Sequence, residues 1–402
     1  MSDAQLRGPV RDAVIVEAVR TPIGRRGGRL AGWHPADLLG FALTGLFERS
    51  GVDPGRIDDV IGGCVTETSE QGCNVTRNAW VSAGLPWDVA STTVDRQCGS
   101  SQQAVHFAAQ GVMAGAYDAV VACGVESMSR VPLSSNAWGG ESPFSRQFLG
   151  QVDGQLLTQF QVAQKIADDS GLTRSDMDEF SVESHARACE ATDTGAFERE
   201  IVSIQLRDDG GTSTAKTMSA DEGIRPATTV GALAQLEPAT KEYVGIDAPD
   251  ITAGNSSQQS DGAAAMLITS RATAEELGLE PRARFEHFTV GAHDPIWVLT
   301  APNPVTRKAL RRSGFEIGDF DAIEVNEAFA SVAMSWANEF RPDPLLLNPR
   351  GGAIALGHPL GASGVRLMTT MLHYLEDTGG RYGFQVMCEG GGQANATIIE
   401  RL

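Results

Sequence analysis

A weak internal repeat is the feature that most limits what this 402-residue chain can fold into. Three short segments occur twice, in the same order and at nearly the same offset. The paired positions are Gly51 and Gly314, Cys98 and His358, and Cys123 and Cys388, which lie 263, 260 and 265 residues apart. One match of this kind could be chance. Three matches in the same order predict two similar halves that pack against each other.

Predicted strands and helices alternate in the first half. Residues 12–19 (DAVIVEAV) have the apolar character of a buried strand, residues 36–49 have helical periodicity, and residues 58–62 begin another short strand. Alternation of this kind predicts an α/β fold whose sheets are covered by helices.

Residues 127–252 differ from the rest of the chain. They are more polar, contain two predicted amphipathic helices at residues 161–169 and 174–194, and include a segment rich in Gly, Ser and Thr at residues 208–217. The apolar segment DGAAAMLIT, residues 261–269, then returns to the composition of a core. We therefore interpret the polar stretch as an insertion or cap.

The formal net charge of −19 excludes some classes of partner. Proteins bind nucleic acids and anionic membranes through Lys and Arg, so neither is an expected ligand of this acidic chain. An anionic small molecule would need a local patch of basic residues. The first residues, MSDAQLRGPVRD, contain no apolar run of signal-peptide length, and no stretch approaches 18 apolar residues. These features predict a cytoplasmic protein.

The six cysteines form no CxxC and no Cys/His cluster with zinc spacing, so no metal site is predicted. Cys98 is the first candidate for chemistry, because it lies between a predicted strand (STTV) and a predicted helix at residues 102–113. In the first turn of that helix, unpaired N–H groups would favour the thiolate and lower the pKa of the thiol from about 8.5. The alternative is a buried cysteine that only packs.

His358 lies in the glycine-rich segment GGAIALGHPLGASG, in which five of fourteen residues are glycine. Packing alone does not require so many glycines, because each loses much backbone entropy on folding. A histidine held in such a segment is therefore expected to gain and lose a proton rather than only to pack. The proline that follows suits the first position of a new helix. A phosphate-binding loop is the alternative, although the segment lacks the Lys of a P-loop and the spacing of a dinucleotide fingerprint.

Two further segments carry polar groups at predicted strand ends. Cys388 ends an apolar strand and precedes three glycines, beginning with Gly390, whose N–H groups could bind an oxyanion; a tight turn with an incidental thiol is the alternative. Asn326 follows the apolar strand AIEV, where it could instead be a helix N-cap. Two thiols, an imidazole and an amide together predict acyl transfer between thiols, with Cys98 as nucleophile and a second thiol as proton shuttle.

These segments resemble the four signature blocks of the thiolase family. The blocks are DRQCGSSQQA around Cys98, NEAFA at Asn326, GGAIALGHPLGASG around His358 and CEGGGQANA at Cys388. The segments DEGIRPATT, which contains Arg225, and TAGNSS also match the family. The similarity runs in family order from about residue 12 to residue 402.

The resemblance implies a thiolase fold of two similar βαβ-rich α/β halves, related by a pseudo-two-fold axis and layered α-β-α-β-α. The N-terminal half would comprise residues 1–126 and 253–275, and the C-terminal half residues 276–402. A loop domain that binds coenzyme A (CoA), residues 127–252, would be inserted in the first half. Thiolases are usually dimers or tetramers, so a homodimer or homotetramer is expected.

The resemblance also implies roles for the residues at the strand ends. Cys98 would become acylated after activation by His358, and Cys388 would act as general acid and base at the α-carbon or the incoming thiol. Asn326 would hold a water that forms one oxyanion hole together with His358, and the N–H groups of Cys98 and Gly390 would form the other. No permanently bound cofactor is implied, because CoA is a co-substrate.

Two residues are implied to contact CoA. Arg225 matches an Arg that lies beside the adenine, and Ser257 in TAGNSS matches a Ser that contacts the pantetheine. The alternatives are an ordinary surface salt bridge for Arg225 and a turn residue without a ligand for Ser257.

The implied reaction is cleavage of a 3-oxoacyl-CoA by CoA to acetyl-CoA or propionyl-CoA and a shortened acyl-CoA, reversible as a Claisen condensation. Ser101 and Gln258 stand where glycine is usual in the family, and QLLTQF (residues 155–160) replaces a Met-Gly-containing stretch of the acyl pocket. These departures weigh against specificity for acetoacetyl-CoA. The pattern is closer to bacterial degradative thiolases, including those of steroid breakdown, so lipid or steroid degradation is expected.

Other functions are still open alternatives at this point. A biosynthetic acetyl-CoA acetyltransferase would form acetoacetyl-CoA, and a non-catalytic acyl-CoA-binding protein would keep the fold without the chemistry. A condensing enzyme of the ketosynthase type is disfavoured, because that class needs histidines for a decarboxylated carbanion and lacks a second cysteine like Cys388.

Overall fold

A computed structural model describes residues 11–137, 142–208, 210–241 and 245–402, so residues 1–10 and parts of the expected loop domain lie outside it. The strands are β1 (Ala13–Arg20), β2 (Gly24–Arg25), β3 (Asp59–Gly63), β4 (Ala90–Val94), β5 (Ala119–Ser127), β6 (Ile204–Arg207), β7 (Ser213–Met218), β8 (Ser260–Ser270), β9 (Ala283–Ala292), β10 (Ala322–Val325), β11 (Tyr382–Glu389) and β12 (Gln393–Arg401). The helices are α1 (Pro35–Ser50), α2 (Val75–Ser82), α3 (Ser100–Met113), α4 (Arg146–Gln151), α5 (Gln159–Asp169), α6 (Arg174–Asp193), α7 (Val230–Leu233), α8 (Arg271–Glu276), α9 (Pro302–Ser313), α10 (Ala330–Phe340), α11 (Ala353–Leu356) and α12 (Leu360–Thr378). No helix among the described residues is long and apolar enough to span a bilayer.

Two groups of four strands repeat one topology. In the first group, β3 runs parallel to β5, β5 is antiparallel to β8, and β8 is antiparallel to β1. In the second group, β10, β11, β12 and β9 have the same order and the same relative directions. The predicted duplication of an α/β unit is therefore confirmed.

The two groups are joined into one continuous sheet. β1 and β9 pair at the centre over Val14–Arg284 and Ile15–Ala283, β4 extends the first group beyond β3, and β2 pairs with β8. Because the central pairing is only two residue pairs long, side-chain packing between the halves has to hold them together.

Helices form three layers around these strands. α3 and α12 contact each other and lie between the halves, where Ala104, Val105, Val365 and Met368 share one buried cluster with residues of β1, β5 and β9. α1 and α2 cover the outer face of the first half, and α9 and α10 cover that of the second. This arrangement is the expected α-β-α-β-α layering.

Glycines let α3 and α12 approach closely. A β-carbon on Gly364 would overlap the backbone of Gln102 in α3, and one on Gly361 would overlap the carbonyl oxygens of Gly63 and Val125. Only a hydrogen fits at these positions, so glycine is required for the contact. The turn before α3 and the start of α12 consequently meet in one small apolar cluster.

The segment between β5 and β8 lies outside the main sheet. Its helices α5 and α6 pack on α10 and α11 of the second half, and β6 and β7 form a separate two-stranded hairpin. The helices α5 and α6 each begin with a capping box, formed by Thr158 with Gln161 in α5 and by Thr173 with Asp176 in α6. Both helices agree with the predicted ones to within two residues at each end.

Candidate active site

The four sequence-predicted residues are buried between the halves, three of them at or just after the ends of strands, whereas His358, which was also expected at a strand end, lies between two helices. Cys98 is in the turn between β4 and α3, Asn326 directly follows β10, His358 is in the turn between α11 and α12, and Cys388 is near the end of β11. Their exposed fractions are 5%, 1%, 4% and 1%, in that order. The site is therefore almost closed to bulk water.

Two local expectations differ from the structure. The helix α3 begins at Ser100 with Gly99 as its N-cap, so Cys98 precedes the helix and is not in its first turn. The helix after Asn326 begins only at Ala330, because the chain stays extended through its N-cap, Phe329. Asn326 is therefore not a helix N-cap, and its side chain points to the other buried groups.

The Cys98 sulfur is approached by two backbone N–H groups, its own and that of Gly390, with Cys388 and Glu389 close enough to influence its charge. The apolar side chains around it are Val65, Met128, Leu360 and Met387. Burial raises the pKa of the Cys98 thiol well above its usual value, although the sequence predicted a lowered one. The cause is desolvation of the thiolate, which outweighs the two N–H donors.

The hydrogen bonds of His358 fix its tautomer. Ser363 Oγ donates its single hydrogen to Pro359 O at 2.8 Å, so at 2.6 Å it must accept from His358 Nδ1–H. His358 Nε2 consequently carries a lone pair. Burial, helped by the charge of Arg366, lowers the pKa of His358 to about 3, so the imidazole is neutral at physiological pH.

Asn326 connects His358 to Cys388. Its Nδ2 lies 3.5 Å from His358 Nε2 and donates to Cys388 Sγ at 3.8 Å. The backbone N–H of Ala328 also approaches this sulfur, whereas burial raises the pKa of the Cys388 thiol to about 11. Cys388 therefore rests as a thiol, the form that can donate a proton.

Sequence reasoning missed two residues that position these groups. One is Ser363, and the sequence did hold a signal for it, since a helix that starts just after His358-Pro brings residue 363 back to the imidazole within one turn. The other is Glu126, a fully buried carboxyl group within the apolar strand β5. It accepts hydrogen bonds from the backbone N–H groups of Val65, Thr66 and Gly361. Glu126 thus ties the loop after β3 to the start of α12.

The two residues expected at CoA lie in different surroundings. Ser257 is beside the chain that follows Asn326, since its backbone N–H donates to Ala328 O at 2.9 Å. Arg225 is exposed, and its backbone N–H donates to His185 Nδ1 at 3.2 Å. Within the described parts of the chain, no hydrogen bond joins Arg225 directly to the four buried groups.

Known proteins share both the sequence and the architecture. Models of the thiolase N-terminal domain and the thiolase C-terminal domain match residues 13–272 and 279–401. The steroid 3-ketoacyl-CoA thiolase FadA6 of Mycobacterium tuberculosis is 46% identical over 404 residues, which cover 98% of this chain and 96% of that protein. A chain with these matches and a duplicated α/β fold belongs to the thiolase family. It is accordingly an acyltransferase.

Two solved structures have the same fold over nearly their whole length. The Bacillus anthracis acetyl-CoA acetyltransferase superposes with a TM-score of 0.86 at 33% identity, covering 98% of this chain and 99% of that one. The human mitochondrial 3-ketoacyl-CoA thiolase in complex with CoA superposes with a TM-score of 0.86 at 31% identity, covering 98% of each chain.

The low pKa of His358 predicts a pH dependence of stability. The unfolded chain takes up a proton here below about pH 6.5 but the folded chain only near pH 3, so the free energy of unfolding falls as the pH drops through this window. For this one residue the loss between pH 6.5 and pH 5 is about 1–2 kcal/mol. His358→Gln should remove that part of the slope in urea titrations, whatever its effect above pH 7. Parallel curves for wild type and variant would contradict a buried neutral imidazole.

Proposed function

We propose that this thiolase cleaves a 3-oxoacyl-CoA with CoA and carries the acyl group as a thioester on Cys98. One observation carries the proposal: the Cys98 sulfur with the Gly390 N–H, the Cys388 thiol and the Asn326–His358 pair meet in one buried site. A nucleophile, a base and a proton donor are the groups that such a cleavage needs.

In the first half-reaction, His358 Nε2 takes the proton of Cys98, and the thiolate attacks C3 of the substrate. The C2–C3 bond then breaks, which leaves the acyl chain on Cys98 as a thioester and the electron pair on C2. Cys388 gives its proton to C2, and acetyl-CoA leaves, or propionyl-CoA when C2 carries a methyl group. A thiol of pKa about 11 suits this step, because it keeps its proton until the strongly basic enolate forms.

In the second half-reaction, the Cys388 thiolate takes the proton of an incoming CoA thiol. The CoA sulfur attacks the thioester on Cys98, and the bond between the Cys98 sulfur and the acyl carbon breaks. The Cys98 thiolate recovers its proton from His358, and the shortened acyl-CoA leaves. The enzyme returns to its starting state, and the reverse sequence is a Claisen condensation.

Two groups of donors would stabilise negative charge on oxygen during these steps. The N–H groups of Cys98 and Gly390 form the proposed first oxyanion hole. His358, once protonated at Nε2, and a water held by Asn326 form the second. In support of that water site, Asn326 Oδ1 is buried and has no hydrogen-bond partner within the described residues. Each aimed donor contributes roughly 10²–10³ in rate.

We assign CoA binding to the loop domain, residues 127–252, with Arg225 at the adenine, and to Ser257, which follows this domain, at the pantetheine. The proposed N-terminal half comprises residues 1–126 and 253–275, and the proposed C-terminal half residues 276–402. In support, β5 and β8 are adjacent antiparallel strands although this whole domain lies between them in the sequence. CoA is the only cofactor proposed, and it acts as a co-substrate.

A bulky or branched acyl chain is the proposed substrate, which implies a role in lipid or steroid degradation. Half-buried apolar side chains surround the cluster that contains Cys388: Leu157, Phe160, Trp297 and Val298. The relative at 46% identity is named a steroid 3-ketoacyl-CoA thiolase. We place the enzyme in the cytoplasm, since all six cysteines are free thiols and the chemistry requires two of them reduced.

We further propose a homodimer or homotetramer that forms along the outer edge of β4. This strand, Ala90–Val94, has no charged residue or proline to hinder pairing with another strand. The helices α2 and α3 contact β4 and present the exposed side chains of Val81 and Phe107, and Trp87, 76% exposed, lies just before the strand. A second copy would cover this apolar edge.

Intact-mass spectrometry tests the assignment of Cys98. A 3-oxoacyl-CoA added without CoA should leave one acyl group on the wild type, located on Cys98 by peptide mapping, and Cys98→Ala should carry none. Cys123→Ala is the matched control, because Cys123 is the buried counterpart of Cys388 in the first half, and it should behave as the wild type. An acyl group found on Cys388 or Cys123 would overturn the assignment.

The same assay tests Cys388. Cys388→Ala should slow acetyl-CoA release by roughly 10²–10⁴, because the carbanion at C2 loses its proton donor. Acylation of Cys98 by a 4-nitrothiophenyl ester should persist, because that thiolate leaves without a proton. An equal loss of rate in acetyl-CoA release and in acylation of Cys98 would refute the assignment of Cys388 as the proton donor to C2.

A panel of acyl chains tests the substrate class. The kcat/KM for a 3-oxoacyl-CoA with a branched or polycyclic chain should exceed that for acetoacetyl-CoA by at least about 10-fold, since each further buried methylene is worth about 1–3 kcal/mol. Trp297→Ala should reduce this preference, whereas Leu345→Ala, at a residue 73% exposed, should leave it unchanged. A preference for acetoacetyl-CoA would favour the other candidate, the activity named for the Bacillus anthracis structure.

Light scattering after gel filtration tests the assembly. The wild type should have two or four times the chain mass of 42.5 kDa. The double variant Trp87→Lys, Thr92→Lys should shift towards the single-chain mass, because charge on an edge strand opposes pairing. Leu345→Lys is the control at another exposed apolar side chain. An unchanged mass in the double variant would place the interface elsewhere.

A further inference from the structure

We propose that Gln258 is a positioning residue that couples the segment at Gly223, on the CoA side, to the turn that carries His358. The inference rests on the proposed function. Gln258 directly follows Ser257, is half-buried, and stands two residues before β8. Its side chain and its backbone hold different parts of the site.

The side-chain amide of Gln258 binds three carbonyl oxygens in two segments. Its Nε2 lies 2.8 Å from Ile354 O, 3.0 Å from Ala355 O and 3.0 Å from Gly223 O. Ile354 and Ala355 belong to α11, a four-residue helix whose last carbonyls have no partner inside the helix. The two amide hydrogens are therefore shared between the end of α11 and Gly223.

The backbone of Gln258 holds the turn after α11. Its carbonyl oxygen accepts from the backbone N–H of His358 at 3.0 Å. Ser260 Oγ donates to the same carbonyl oxygen at 2.8 Å and accepts from the His358 N–H at 3.2 Å. Gly357, between α11 and His358, has a φ of 104°, a conformation that is costly for other residues. A displacement of Gln258 therefore moves both α11 and the backbone N–H of His358.

The segment around Gly223 is also held in place by hydrogen bonds. Asp221, two residues earlier, receives two hydrogen bonds from the buried guanidinium of Arg20, at 2.7 Å and 2.9 Å. Arg225, the proposed adenine contact, lies two residues later. The segment is thus held between Arg20 and Gln258, so CoA bound at Arg225 acts through Gln258 on the turn after α11.

The expected effect is large because the geometry of a catalytic base is demanding. A misplacement of about 1 Å can cost about 10²-fold in rate.

Two substitutions of Gln258 test the coupling. Gln258→Met keeps the length but removes both N–H donors, and Gln258→Glu places a carboxylate against three carbonyl oxygens. Each should raise the KM for CoA and lower kcat together, with kcat/KM in thiolysis falling about 10²-fold. Gln259→Glu is the matched control, because this neighbour is exposed and accepts from Arg26 Nη1 through an oxygen that Glu retains. Its constants should stay close to those of the wild type.

The two kinetic constants separate coupling from a structural role. A change in KM alone, a change in kcat alone, or a lower Tm with unchanged constants would each overturn the proposal. If Gln258→Glu does not fold, Gln258→Met decides. Acylation of Cys98 in the wild type is measured in parallel by intact mass. If the wild type is not acylated on Cys98, both the proposed function and the coupling are refuted. If the wild type is acylated and the Gln258 variants have the same kinetic constants as the Gln259→Glu control, only the coupling is refuted.

Discussion

The close packing of α3 against α12 is the contact on which the rest of the structure depends. Two similar halves pair through only two residue positions of β1 and β9, so the helices between them determine how the halves meet. Gly361 and Gly364 leave room for that approach, because any side chain there would overlap backbone atoms. The contact brings the turn with Cys98 to the turn with His358, and each half supplies one of these two groups.

Burial gives the site its electrostatic character. The thiols of Cys98 and Cys388 have raised pKa values, and the imidazole of His358 has a lowered one, so all three are neutral at rest. Glu389 follows the same rule, since burial raises its pKa to about 9. These four groups then carry charge only while a reaction is under way. In such surroundings the backbone N–H groups near Cys98 would act on the proposed oxyanion more strongly than they would in water.

The sequence predicted the features that have a local or a repeated signature. Apolar runs and helical periodicity located β1 and α1, and the three nearly equal offsets predicted the duplication, which the strand topology confirms. The direct pairing of β1 with β9 has no local signature, because it joins the two halves. The pKa of Cys98 was predicted in the wrong direction for a similar reason. The helix after it could be anticipated from neighbouring residues, but its burial depends on side chains from both halves.

For the site, residue type and glycine spacing were enough to select Cys98, His358, Asn326 and Cys388, which the fold brings together. The role of each is still a prediction, as is that of Arg225 and Ser257 at CoA. Ser363 was missed because its importance depends on where α12 begins, which decides whether its hydroxyl faces the imidazole. The same holds for Gln258, whose contacts involve segments that are distant in the sequence.

The two halves end differently at the outer edges of the sheet. Beyond β3 the first half has β4. Beyond β10, the described residues of the chain form only a bridge from Ile323 to Leu347, where the Ile323 N–H donates to Leu346 O and the Asn348 N–H donates to Ile323 O. A molecule with one self-complementary edge can join a single copy along it, about a two-fold axis, and the pair then offers no second edge of that kind. In the proposed assembly, pairing along β4 therefore ends at two subunits and does not continue into a fibre.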